Sequence, residues 1–246
     1  IFVMAFLYPC IKLVHLSLFA QESSSQSNWF SLAGNTFIIA IITALVICLL
    51  SICLVYFRRR YKNWISLGMV KISGIGYAIP GTILAVAVYL FFTSTENLIL
   101  DFMEDSLGVS LPLMLSGSLI IVVAGLTIRF LSLGHRPIEN ALKQISPNLE
   151  ESAQSLGHSQ TSILKKVHFP LMLPGFGVAF TLILVESIKE LPITLMTRPF
   201  GWNTFATHIF ERTSEGHWEE AALPALSLVL IGILPILFLN KFTQND

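Results

Sequence analysis

Apolar residues in this chain run in long blocks, and six of them divide it: 1–20, 30–57, 67–92, 113–133, 175–196 and 221–240. A helix rises 1.5 Å per residue, so about 20 residues cross the ~30 Å hydrocarbon core of a bilayer. Each block is long enough. The ten-residue alternation of a membrane β-barrel is absent, so helices are the expected way to satisfy the backbone in lipid. The pattern predicts an all-α, polytopic membrane protein with one transmembrane domain over residues 1–246. Gly74, Gly76 and Pro80-Gly81 interrupt the third block. A helix break with close helix packing is expected there, at Gly76, Pro80 and Gly81.

Composition agrees with the pattern. Of the 246 residues, 54% are apolar and 12% charged, about half the charged fraction usual for a soluble domain. Mean hydropathy is +0.72. A soluble enzyme, a disordered chain and a disulfide scaffold are excluded. Cys10, Cys48 and Cys53 all lie in apolar blocks without a CxxC pair, and read as small apolar span residues. Net charge is zero, so nothing points to nucleic acid. The distribution is uneven, however. Eleven of the fifteen Lys and Arg fall on the side that follows the second, fourth and sixth blocks: Arg58, Arg59, Arg60 and Lys62 with Lys71 just beyond, Arg136, Lys143, Lys165 and Lys166 with Arg129 at the fourth span's end, and Lys241. The opposite loops hold only Arg198 and Arg212, with nine acids. The positive-inside bias makes the basic side cytoplasmic. With six spans, both ends of this segment face that side. The chain begins at Ile1 within an apolar run, which suggests a piece of something longer.

The segment 135–173 is too polar for the membrane and too long for a simple connection. Within Ser146-Pro147-Asn148-Leu149-Glu150-Glu151, Asn148 is the expected N-cap, with Glu151 three residues on as in a capping box. Leu149, Ala153 and Leu156 share a face at helical spacing, and Gly157 breaks the helix. Ser159 is expected to cap a second short helix, ended by Phe169-Pro170. Such a pair could lie on the lipid surface as an amphipathic hairpin. Short apolar faces and the acids Glu150 and Glu151, which anionic lipid repels, favour a protein partner.

Glu151-Ser152-Ala153, three residues, Gly157, nine residues, Val167, one residue, Phe169-Pro170 resembles the EAA loop of ABC-transporter permeases. That loop reads EAA, three residues, Gly, nine residues, Ile, one residue, Leu-Pro. Glu151, Ala153, Gly157 and Pro170 are identical to it, while Ser152, Val167 and Phe169 depart conservatively. The Gly76-Tyr77-Ala78-Ile79-Pro80-Gly81 segment is similar to the GYAxPG of ferric-iron permeases. So are Lys189-Glu190-Leu191-Pro192-Ile193-Thr194, Arg198-Pro199-Phe200 and Ala221-Ala222-Leu223-Pro224-Ala225, to the run KELPxT…RPF…AALPA. The resemblance implies the permease of a bacterial inner-membrane ABC importer of the type I kind, moving ferric iron by alternating access. It implies that the loop couples to an ATP-binding subunit, which binds ATP-Mg and hydrolyses it, so that this chain is no enzyme and binds no cofactor. It also implies a periplasmic solute-binding protein, and a second permease half or homodimer partner. Ferric permeases are usually one chain of about twelve spans, so this one looks like the C-terminal half or a half-size subunit. Sulfate, thiamine or other cargo stays open.

Glu186, Lys189 and Glu190 are ionisable groups clustered inside the fifth block. A mid-membrane charge costs at least ~2.5 kcal/mol, so they should face a cavity or pair with each other. One reading places them along the translocation pathway, where carboxylate oxygens suit a hard cation. The other is a Lys189–Glu186 pair locking the helix bundle. Glu96, Asp101, Glu104 and Asp105 read as an outer loop, solvated or docking the binding protein. His208, Glu211, His217 and Trp218 read as a solvated loop with no firm metal site. No phosphate-cradling Gly-x-x-x-x-Gly-Lys-Ser/Thr occurs. The rival class, a secondary transporter without an ATPase, calls for an inverted repeat and charges in several spans. Neither is visible here.

Overall fold

The computed structural model describes residues 3–19, 26–61, 63–108 and 115–243. Among these residues the chain is helical, with no strand. After a π-helical turn at Val3–Leu7 come α1 (Tyr8–Phe19), α2 (Gln26–Arg60), α3 (Trp64–Ser73), α4 (Ile75–Ala78), α5 (Gly81–Leu107) and α6 (Leu119–Lys143). Then follow α7 (Pro147–Ser155), α8 (Gln160–Ile163), a π-turn at Leu164–His168, α9 (Phe169–Ile188), α10 (Pro192–Thr197), α11 (Phe205–Ser214) and α12 (Trp218–Thr243).

Among the described residues, four stretches are long and apolar enough to cross a membrane: Trp29–Arg60, Gly81–Ser106, Leu119–Lys143 and Gln160–Ile188. Helix boundaries differ from the expected blocks, and a proline marks two of the differences. Pro80 lacks an N–H and forces the preceding residue out of helical geometry. Ile79 accordingly sits at φ −76°, ψ 134°, and α5 starts afresh at Gly81. That helix passes the expected end at residue 92 and stops at Gly108, whose φ of +63° closes it. The fifth block also divides, with α9 ending at Ile188 and α10 starting at Pro192, whose missing N–H is tolerated at a first helical position. Expected spans 1–20 and 113–133 correspond to the segment 3–19 and to α6; residues 1, 2, 20, 113 and 114 lie outside the described residues. Block 221–240 falls within α12.

Two compact units are present. The first comprises Ile1–Ile41, Pro80–Leu126 and Val185–Asp246. Within it α10 packs on α5, and α12 packs on α1 and α11, around Ala40, Ala85, Ile121, Leu126, Ile193 and Phe205. Comprising Ile42–Ile79 and Thr127–Leu184, the second has a core of Ala44, Ile47, Phe130, Ile138, Ile163 and Ile183. Its helices approach closely where side chains are small: a Cβ on Gly175 would lie 2.8 Å from the Pro137 carbonyl oxygen. Leu49, Ile83, Phe91, Leu98 and Phe102 are more than half exposed on the long helices. Exposed apolar side chains of this size suit lipid rather than water as solvent.

Candidate functional site

The connection from α6 to α9 carries the motif residues, all within the second unit. Its first helix starts two residues earlier than expected. Ser146, not Asn148, is the N-cap, accepting the Asn148 N–H at 3.3 Å. Pro147 then occupies the first helical position, where its missing N–H costs nothing. Glu151 is therefore not at a capping-box position. At the other end the chain makes a Schellman motif. His158 N–H donates to the Ala153 carbonyl at 3.1 Å and Gly157 N–H to that of Gln154 at 2.9 Å. Gly157 adopts φ +83°, the left-handed conformation that glycine takes without strain. A Cβ there would meet nothing within 4 Å, so conformation alone selects the glycine.

Ser159 caps the next turn, accepting the Ser162 N–H at 3.4 Å. The expected stop at Phe169-Pro170 does not occur: α8, the π-turn and α9 form one continuous helical stretch, Gln160–Ile188. A wider turn absorbs the proline. The Phe169 N–H reaches back five residues to the Leu164 carbonyl, which eases the clash a proline ring makes with the preceding turn. The motif is thus one short helix, a glycine turn and the base of a long helix, rather than two short helices.

Side-chain placement divides the motif into two faces. Ala153 is buried, whereas Leu149, Glu151, Ser152 and Leu156 are exposed, Leu156 at 79%. Ser152 turns its hydroxyl onto the Asn148 carbonyl at 2.7 Å, so this departure from alanine leaves no unpaired polar group. Val167 is half-buried, and Phe169 and Pro170 are exposed.

The buried side holds residues that sequence reasoning assigned no role. One oxygen of Glu150, in the first turn of α7, lies 2.5 Å from an Arg59 guanidinium nitrogen and 2.8 Å from His168 Nε2. Arg59 also donates to the carbonyls of Leu142 (2.6 Å) and Ile145 (3.1 Å) at the end of α6. Beside it Glu139 is shared by Lys143 (3.1 Å), Arg58 (3.5 Å) and His135 (3.7 Å). Tyr56 OH donates to Gln160 Oε1 at 3.4 Å. The signal in the sequence was the run Arg58-Arg59-Arg60, which spoke only of orientation.

In the first unit, the trio at the end of α9 separates. Glu190 is buried and accepts the N–H of Ile193 (2.9 Å) and Thr194 (3.1 Å) together with the Thr194 hydroxyl (2.9 Å). It anchors the N-terminus of α10. Lys189 and Glu186 form an ion pair at 2.7 Å, half and a third exposed. Of the residues expected at the helix break, Gly76 lies inside α4, Pro80 separates α4 from α5, and Gly81 is the first residue of α5.

Two expected solvated loops are instead ordered. Glu96 is buried on α5 and accepts the N–H of Leu115 (2.5 Å) and Ser116 (2.7 Å). Asp101, Glu104 and Asp105 are exposed on the same helix. Residues 205–214 form α11, fixed by a capping box between Thr204 and Thr207, while Arg198 pairs with Glu211. The buried environment of His208 lowers its pKa, assisted by Arg212 and opposed by Glu211. No group of three or more His, Cys, Asp or Glu suited to a metal occurs among the described residues.

This architecture is the fold of ABC-importer transmembrane subunits, and the chain is a multi-pass membrane protein. It superposes on a chain of a bacterial alginate ABC transporter, crystallised with an alginate pentasaccharide-bound periplasmic protein. The TM-score is 0.66 at 17% identity, over 99% of this chain and 90% of that one. For the inward-facing MetNI methionine ABC transporter the TM-score is 0.59 at 22% identity, over 88% and 93%. By sequence the chain is similar to proteins named as ferric-iron transport permeases. It is 24% identical over 245 residues to the Fe(3+)-transport system permease protein FbpB 2 of Haemophilus influenzae, 98% of this chain and 45% of that protein. It is 31% identical over 134 residues to the putative 2-aminoethylphosphonate transport system permease protein PhnV of Salmonella typhimurium, 54% of this chain and 51% of that protein. The chain thus spans about half the length of these curated relatives. No family model matches it.

Proposed function

We propose that this chain is part of the membrane-spanning permease of an ATP-driven ABC importer, and that α7 with its glycine turn is where an ATP-binding subunit docks. The observation that carries the reading is the two-faced helix α7. Its buried side is tied to the helix bundle through Glu150, and its outward side presents Leu149, Glu151 and Leu156 with no side-chain partner among the described residues. In this reading Glu151, Ser152, Ala153, Gly157, Val167, Phe169 and Pro170 form the coupling element. ATP-Mg binds and is hydrolysed on the partner, so this chain is not itself an enzyme. The basic-rich ends of α2 and α6 support a cytoplasmic location for the element, in a bacterial inner membrane. A second permease half or second copy completes the pathway. A periplasmic binding protein delivers cargo to the opposite face, where Asp101, Glu104 and Asp105 are exposed.

Ferric iron is the proposed cargo, supported by the near-full-length match to a protein named for Fe(3+) transport. A second cargo reading, an aminophosphonate, is favoured by the match to a protein named for 2-aminoethylphosphonate transport, which covers 54% of this chain. The deciding experiment is a pull-down of the detergent-solubilised full-length protein from its native cells, with and without Glu151→Arg and Gly157→Val. Recovery of an ATP-binding subunit that either substitution abolishes supports the reading. Recovery of none from the unaltered protein overturns it in favour of a transporter without an ATPase. Uptake of radiolabelled ferric iron against aminoethylphosphonate then separates the cargoes.

A further inference from the structure

We infer that Arg59 is the positioning residue through which displacement of α7 reaches the long helices; this rests on the docking reading above. Three elements converge on its guanidinium. Arg59 belongs to the last turn of α2, yet it donates to Leu142 and Ile145 at the end of α6 and touches Glu150 in the first turn of α7. A fourth joins through the carboxylate, because His168 on the π-turn below α9 lies 2.8 Å from the Glu150 oxygen that faces Arg59. One ion pair therefore links α7 to three of the four stretches long and apolar enough to span a membrane.

The geometry suits transmission better than docking. Arg59 is 22% and Glu150 24% exposed, and His168 only 3%. Arg59 meets two carbonyls and one Glu150 oxygen, and the same oxygen faces His168 Nε2, whereas Leu149 and Leu156 are exposed. A guanidinium is also the one side chain whose planar fork of donors can serve two carbonyls and a carboxylate together. Compliance lies alongside: a cavity of about 720 Å³ is bordered by Val55, Arg59, Trp64, Leu142, Pro147 and Glu150. With that space beside it, α7 can move without repacking the core between α2 and α6, and the ion pair is what makes those helices follow.

The test uses the full-length protein reconstituted in proteoliposomes with the ATP-binding subunit recovered by the pull-down and a binding protein loaded with ferric iron. ATP hydrolysis, subunit co-purification and iron uptake are measured for the unaltered protein, Arg59→Gln, Arg59→Lys and Glu150→Gln. Coupling between sites is typically a 5- to 150-fold effect. For Arg59→Gln, iron moved per ATP should fall about tenfold, with co-purification and hydrolysis retained. Arg59→Lys should be intermediate, since an ammonium can hold Glu150 but not both carbonyls. Glu150→Gln leaves the Leu142 and Ile145 bonds in place and removes the carboxylate charge that Arg59 and His168 share, so it decides the matter if Arg59→Gln does not fold. An unchanged ratio of uptake to hydrolysis in Glu150→Gln, or loss of the ATP-binding subunit from it, overturns the transmission role. Failure of the docking reading is seen separately, as absence of that subunit from the unaltered protein.

Discussion

A Cβ atom added to Gly76 would lie 1.9 Å from the carbonyl oxygen of Ile128. Backbone meets backbone at this point, and no rotamer change can relieve the overlap. Gly76→Ala should therefore force α4 and α6 apart and destabilise the protein by about 1–3 kcal/mol or more. The neighbouring Gly74→Ala, whose Cβ would only approach the Lys71 carbonyl to 3.3 Å, should cost less. Thermal denaturation of the two variants in detergent checks the order; equal loss would place the origin in the helix break rather than in the crossing.

Gly157 makes a different demand. Its φ of +83° is the obstacle, since no atom would touch a Cβ there. Gly157→Ala should cost about 1–2 kcal/mol of backbone strain, and Gly157→Asn less, because asparagine tolerates the left-handed region. Transport assays on both should rank Gly, Asn, Ala in falling activity with insertion unimpaired. A fully active alanine variant would remove the turn from the mechanism.

Glu190 and Glu186 should respond unequally to Gln substitution. Glu190 accepts three hydrogen bonds at the start of α10 in a buried site. Hydrogen bonds to a charged group contribute about 1.5–3 kcal/mol each, so Glu190→Gln should lower thermal stability clearly. The Lys189–Glu186 pair is partly exposed and contributes at most about 1 kcal/mol. Iron uptake measured alongside stability tests the pathway reading. Glu190→Gln that keeps its stability but loses uptake would move this residue from anchor to cargo contact.

His208 predicts a pH dependence. Its pKa is held below the ordinary value, chiefly by burial, so the folded state binds the proton less readily than the unfolded chain does. Its contribution is then complete above the unfolded value of about 6.5 and is lost as pH falls through the lower folded value. Stability measured between about pH 7.5 and 5 should decline, and His208→Gln should flatten that part of the decline. An unaltered slope would assign the effect to other groups.

Much of the local plan was readable without the fold. The break at Pro80 follows from a missing N–H and the constraint on the residue before proline. The end of α7 at Gly157 follows from glycine's access to positive φ. Where the expectation missed, a neighbour in sequence was credited with work that another did. Asn148 looked like a cap, but Ser146 with Pro147 behind it starts the helix one turn-fraction sooner. Phe169-Pro170 looked like a stop, but a π-turn relieves the proline and the helix continues. Glu96 looked solvated because its own helix is flanked by acids; the amides it binds lie 19 and 20 residues away.

The sequence by itself determined the membrane character, the helical class, the basic-to-acidic asymmetry and the spacing of the motif at Glu151–Pro170. Each depends on residues within a block or a turn of one another, where hydropathy, proline and glycine act without reference to the rest of the chain. Tertiary structure decided which charges meet. Arg59 reaches the carbonyls of Leu142 and Ile145 across separations of 83 and 86 residues, and Glu96 takes the amides of Leu115 and Ser116 across 19 and 20. A charged side chain removed from water takes whatever donor or acceptor the packed helices bring within about 3 Å, and that choice is made only once the backbones have come together.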